Sequence, residues 1–320
     1  MKKTMMVMAA AACALFATSA RAQAGKKVLY VNSYHEGYEW SDGMERGAKA
    51  ALAPSGVELR FERMDAKRHG DDAFRKAAAE KVKGGIESWK PDVVIVGDDP
   101  AVKYVLQAFY KDAKVPFVFV GVNWDAAKYG LPYKNATGIL EVSFAKEMVE
   151  VMKPYAKGTR LGYLTVDSET ERIELAAYKK EAGLQFTKEV FVKSLAEWKA
   201  AYEQLQGEVD MVFIGNYAGA DDWKADEAAA FVAGGRTKVV SGSIYDYMAP
   251  FAMVNFAKVA EEHGAWGAKT ALAIIGGTAP SAIPIAKNKQ SRIVLNPKLA
   301  VSAGVVFKPE LLRNAVIAAK

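Results

Sequence analysis

Lys26 to Leu52 reads KKVLYVNSYHEGYEWSDGMERGAKAAL, and this stretch decides the fold. Val28 to Val31 is a short β-branched and apolar run, a polar and aromatic turn follows, and then Met44, Ala48, Ala51 and Leu52 recur at helical spacing. A strand, a turn and a helix in that order open an α/β unit.

Further runs of the same kind recur downstream at Val57 to Phe61, Val93 to Val96, Val115 to Val122 and Thr137 to Leu140. They are apolar on both faces, which predicts a parallel sheet covered by helices on each side. Between them, Phe74, Ala78, Val82, Ile86 and Trp89 share one helical face after the acidic start Asp71-Asp72. Asp99-Pro100 opens another helix, with Asp99 as an N-cap and Pro in the first turn.

A second series predicts strands at Leu161 to Val166, Val190 to Val192, Met211 to Ile214 and Val239 to Val240. Ser168 with Glu171, and Ser194 with Glu197, fit the S-x-x-E capping box, and Gly183 and Gly207 follow as terminators. Two doubly wound parallel α/β units in tandem are the economical reading. A helical pattern through Val254, Ala257 and Ala260 to Ile275, an apolar stretch Ile293 to Leu295 and a helix from Pro297 remain to complete both lobes. We therefore place crossings near Leu140 to Ser143, Tyr247 to Pro250 and Pro284 to Lys287. That assigns 26–141 with 250–284 to lobe 1, and 142–249 with 285–320 to lobe 2.

Before the first strand, Lys2 and Lys3 precede an apolar run from Met5 to Phe16, and Ala20, Ala22 and Ala24 follow. This predicts a signal peptide of residues 1–22, with an alternative cut after 24, and a periplasmic location. The run is shorter than the ~18 residues of a membrane span. Cys13 is the one cysteine, so cleavage removes both disulfides and a thiolate nucleophile from consideration. The net charge of +6 falls to +3 when Lys2, Lys3 and Arg21 leave, which argues for no nucleic-acid partner.

Ligands of open parallel sheets bind beyond the carboxyl ends of the strands. Those ends carry Ser33, Tyr34, His35, Tyr38 and Trp40, then Asp65, Lys67 and Arg68, then Asp98 and Asp99, then Asn123 and Trp124. In the second series they carry Asp167 and Ser168, Asn216 and Tyr217, and Ser243, Tyr245 and Asp246. Aromatics, amides and both signs of charge suit a small polar ligand with an apolar or cyclic body. Lys67 and Arg68 would grip a carboxylate or phosphate, or else form a solvated loop. Asp98 and Asp99 lack the nearby His or third acid that a metal site needs, so no metal and no cofactor are expected. There is no G-x-G-x-x-G after the first strand, no G-x-x-x-x-G-K-[ST], no H-E-x-x-H and no G-x-S-x-G. An enzyme is accordingly not expected.

The chain resembles the ABC-transporter substrate-binding protein family of the type I periplasmic binding fold, in the group with tryptophan-type binding proteins. The likeness is carried by Tyr30 to Gly43, MDAKR at Met64 to Arg68, GDDPA at Gly97 to Ala101, GVN at Gly121 to Asn123, TGILE at Thr137 to Glu141 and IVLNPKLAVSAGV at Ile293 to Val305. These segments are particularly similar to the version used as a periplasmic sensing region. The resemblance implies two lobes joined by three crossings, ligand held between them, and closure on binding. It implies ligand contacts from Ser33, Tyr34, Trp40, Asp65, Lys67, Arg68, Asp98, Asp99, Asn123 and Glu141, and a permease as partner. The ligand expected is an amino acid or a small aromatic or carboxylate solute. A soluble sensing subunit that docks on a membrane receptor is the alternative, and an exported α/β enzyme a third.

Overall fold

The computed structural model describes residues 23–217, 220 and 222–318. The expected signal peptide, residues 1–22, lies outside them. Five strands come first: β1 (Lys27–Asn32), β2 (Glu58–Arg63), β3 (Val93–Gly97), β4 (Phe117–Asn123) and β5 (Ala136–Glu141). Five more follow: β6 (Leu161–Val166), β7 (Lys188–Val192), β8 (Met211–Ile214), β9 (Val240–Ser243) and β10 (Val254–Lys258). The last three are β11 (Ala286–Lys287), β12 (Ser291–Leu295) and β13 (Val316–Ile317).

Two compact units result. The first holds residues 23–142 and Val259–Lys289, and the second holds Ser143–Lys258 and residues 290–318. In the first the sheet order is β11-β5-β4-β3-β1-β2, all parallel. The second runs β13-β12-β10-β9-β8-β6-β7, parallel except for the β10/β12 pair. Both are doubly wound α/β lobes with largely parallel sheets, as the sequence predicts.

In the first unit, side chains alternate between two cores. Leu29, Val31, Val94, Val96, Phe117 and Phe119 pack against Ala79, Val82 and Ile86 of the helix Asp72–Trp89. Val28, Tyr30, Val93, Ile95, Val118 and Val120 pack against Met44, Ala48 and Leu52 on one helix and Ala268 and Ala271 on another. Each such large apolar side chain contributes about 1.5–3 kcal/mol, so both sheet faces must stay covered. β2 departs from the two-faced expectation: it is the edge strand, and Glu58 and Arg60 are exposed along it. Charge on an edge blocks pairing with another sheet.

The helix starts follow their caps. Asp71 accepts from the Phe74 amide at 2.7 Å, and Ser168 and Ser194 accept from the amides of Glu171 and Glu197 at 3.2 Å. One expected helix end is wrong. Val254 to Lys258 forms β10, parallel to β9 and antiparallel to β12, and the helix occupies only Ala260–Ile275. Buried Val254 and Phe256 fit a strand better than a helix interior, because β-branched and aromatic side chains suit a pleated surface. The second crossing therefore falls at Lys258/Val259, beyond the expected Tyr247 to Pro250, and the third at Lys289/Gln290, two residues past the expected Pro284 to Lys287.

Candidate functional site

In each sheet the strand order reverses at one place, between β1 and β3 in the first unit and between β6 and β8 in the second. Connections leave such a switch point in opposite directions and open a crevice at the carboxyl ends. In the first unit Ser33 ties that crevice together. Its hydroxyl donates to the Gly97 carbonyl at 2.5 Å and accepts from the Ala101 amide at 2.8 Å. Fully buried, Ser33 has its hydroxyl committed to the fold.

Above it sits Asp98, 2 % exposed, with a left-handed backbone at φ 67°. Trp40 Nε1 donates to its Oδ1 at 3.0 Å, while Oδ2 has no donor among the described residues. Burial first, then the charges of Glu141 and Asp99, push the Asp98 carboxyl well above the usual carboxylate range. Gly121, at φ 70°, makes room for it: a Cβ there would lie 2.9 Å from Asp98 Oδ1. Asp65, two residues past β2, and Trp124, the residue after β4, also have positive φ, at 55° and 59°. A left-handed tryptophan is unusual, and strained backbone of this kind gathers at binding sites. Its amide is held by the Glu141 carbonyl at 3.0 Å.

Asp99 does not cap the helix. The cap position is Gly97, and the Asp99 carboxylate instead accepts from Asn123 Nδ2 at 2.6 Å and Tyr129 Oη at 2.7 Å, with Lys128 Nζ at 2.8 Å. The aspartate is drawn sideways because β4 ends beside it and offers several donors. Burial, then the Asp99 charge, raise the Tyr129 phenol.

On the rim, Tyr34 and Tyr38 meet edge to face at 5.2 Å, and the Lys67 ammonium lies 5.1 and 4.9 Å from their ring centres. Arg68 spends its fork on Asp65, with bonds of 2.8 and 2.6 Å, so it does not present that fork to an anion. His35 and His69 also approach Asp65, each at 3.6 Å. Glu141 ends β5, 8 % exposed. The first unit thus brings Tyr34, Tyr38, Trp40, Lys67, Asp98 and Glu141 into one electrostatic neighbourhood.

The rim of the second unit is aromatic. Tyr217 stacks on Trp223 at 4.8 Å and meets Tyr247 and Phe251 edge-on, and Tyr245 stacks on Tyr247 at 5.1 Å. Asp167 is taken by Arg172 at 2.6 Å, and Ser243 is fully buried, its hydroxyl accepting from the Tyr245 amide. The Asn216 amide donates to Thr165 Oγ1 at 3.1 Å and Glu171 Oε2 at 3.3 Å. Glu171 Oε2 also accepts from Tyr163 at 2.9 Å and Thr165 at 2.6 Å, a cradle that needs Gly215, whose Cβ would lie 2.6 Å from that oxygen.

The family model described as "ABC transporter substrate binding protein" matches residues 38–318. The chain belongs to this family. No curated protein matches its sequence significantly. Among solved structures it is similar to a ligand-free, open substrate binding protein with adhesive properties from Clostridium difficile, at 16 % identity and TM-score 0.70, covering 92 % of this chain and 99 % of the other. An ABC domain in complex with L-Trp from Streptococcus pneumoniae is 18 % identical, with TM-score 0.57 over 92 % of this chain and 99 % of the other. A periplasmic ribose ABC transporter protein from Conexibacter woesei is 13 % identical, with TM-score 0.55 over 89 % and 96 %.

In this substrate-binding protein four rim residues escape a reading of the sequence: Tyr129, Glu171, Trp223 and Tyr247. Glu171 scores as half of a capping box, and only its burial, 1 % exposed under Tyr163, shows the larger role. No group of three or more metal-ligating side chains occurs among the described residues, and none of their helices is long and apolar enough to cross a membrane.

Proposed function

We propose that this protein captures a small organic solute at the carboxyl rim of its first unit, in the periplasm, and delivers it unchanged to an ABC permease. One observation carries the reading: Asp98 is buried beside Tyr34 and Trp40 with an oxygen that has no hydrogen-bond partner among the described residues. Aromatic faces hold an apolar body, while Asp98 and the Lys67 ammonium fix polar ends, so an amino acid or a small aromatic or carboxylate solute fits best. The family supports the transport class. Ligand binding is expected to proceed without turnover.

A thermal-shift screen of the mature protein against a metabolite library tests this. A true ligand at 100 times its dissociation constant adds about 2.7 kcal/mol, a rise of several degrees in the midpoint. Mass spectrometry should then recover the compound unchanged, and deleting the gene should lower its uptake. Conversion of the compound would replace binding by catalysis. Undiminished uptake would assign the protein to sensing, and a library with no hit would remove the solute-binding reading.

A further inference from the structure

We propose that Asp98 anchors a protonated amine on the solute. This rests on the solute-binding reading above and narrows the solute to amine-bearing compounds.

A second buried acid of the same unit shows what a carboxylate with a purely structural role looks like. Glu45, 3 % exposed, accepts from Asn32 Nδ2 at 2.8 Å, Arg63 Nη2 at 2.5 Å and Lys49 Nζ at 3.1 Å. Two cations and an amide balance its charge. Asp98 is buried as deeply and receives one neutral donor, the Trp40 indole, on one oxygen. Its second oxygen and the hydroxyl of Tyr30, both buried, have no hydrogen-bond partner among the described residues.

The charges that face Asp98 have one dominant sign. Glu141 and Asp99 act on it as anions, Lys67 is the cation that opposes them, and the phenols of Tyr30 and Tyr34 stand in its field. Glu45 reaches the same group through Tyr30. The Lys67 ammonium is engaged over the rings of Tyr34 and Tyr38, and the Arg68 fork is closed on Asp65. What the place lacks is one positive charge and at least one hydrogen-bond donor. A primary ammonium supplies both, with three N–H groups on a compact cation. A carboxylate or phosphate would be repelled, and a neutral hydroxyl would bring a donor without the charge.

The proton balance follows. In the unliganded protein burial first, then the charge of Glu141, disfavour the ionised carboxylate and favour the protonated form. When the ammonium docks, the O–H bond of Asp98 breaks, its proton passes to water and buffer base, and the ammonium keeps its own protons. Solute binding is thereby linked to proton release.

Three matched probes separate the terms: L-phenylalanine, phenethylamine and 3-phenylpropanoate, which carry both charged groups, the amine alone and the acid alone. Titration calorimetry at pH 7 in buffers of different ionisation enthalpy reads affinity and proton release together. Both amines should bind with proton release, and 3-phenylpropanoate at least tenfold more weakly than L-phenylalanine. Asp98→Asn should weaken the amines at least tenfold and abolish the buffer dependence. Asparagine keeps the shape and tolerates positive φ, so circular dichroism should show an intact fold. Equal binding of the acid, amine binding without buffer dependence, or unchanged amine affinity in Asp98→Asn would each overturn the anchor and leave solute binding standing. So would a set in which no probe binds while the library yields an amine-free ligand; a library without any ligand would overturn the binding reading itself.

Discussion

In the first unit the acid at the strand reversal, Asp98, takes a single hydrogen bond from Trp40, whereas in the second Glu171 takes three on one oxygen, from Tyr163, Thr165 and the Asn216 amide. Both acids are buried, and both stand where a crevice opens. The difference separates holding from waiting. Glu171 organises the end of β6 and the loop after β8 through Oε2, which takes all three bonds, while its Oε1, like Asp98 Oδ2, has no partner among the described residues. Asp98 stays under-satisfied, at a left-handed residue that Gly121 must accommodate, and such a cost persists where a ligand later relieves it.

The largest effect should come from Glu171→Ala, which removes the acceptor shared by three donors, leaves the buried Tyr163 hydroxyl without one and opens a void. About 3 kcal/mol or more should be lost, read as a lower urea midpoint. A loss below about 1 kcal/mol would erase the contrast. Tyr217→Ala comes next. Because Tyr217 stacks on Trp223 and meets Phe251, the change should cost about 1–2 kcal/mol in the unliganded protein. No stability change would return Tyr217 to the role of a free contact residue.

Asp98→Asn should act in the other direction. The folded carboxyl is raised, so ionisation of the unfolded chain above pH ~3.9 favours unfolding until the folded group ionises too. Removing the acid should raise the unliganded midpoint at pH 7, and the gain should fade below about pH 4. A gain that persists in acid would point to packing instead of charge. Smallest is Arg68→Ala. Its hydrogen bond lowers the Asp65 carboxyl, a contribution present above pH ~3.9 and lost as the pH falls through the folded value. The guanidinium is 60 % exposed, so solvent screens the pair and the urea midpoint at pH 7 should fall only slightly.

The same contrast explains what the sequence could disclose. Caps and strand cores are local, so Asp71, Ser168, Ser194 and the run Val28 to Val31 are legible within a few residues. Asp98 and Trp40 are legible as strand-end residues, but their pairing spans 58 positions. Glu171 is hidden differently: its capping-box spacing satisfies a local rule while its side chain serves Asn216, 45 residues away. Tyr129 reaches Asp99 across 30 residues from a short turn that carries no motif. β10 was misread because Val254, Ala257 and Ala260 fit helical spacing by chance, and only pairing with β9 and β12 decides the matter.

The most direct measurement is the thermal midpoint of the native protein and of Asp98→Asn at pH 7, each with and without the solute found by screening. If Asp98 is kept for the ligand at the expense of the unliganded fold, the variant melts higher alone and gains far less when solute is added. A variant that melts lower alone and gains as much with solute as the native protein would contradict the account.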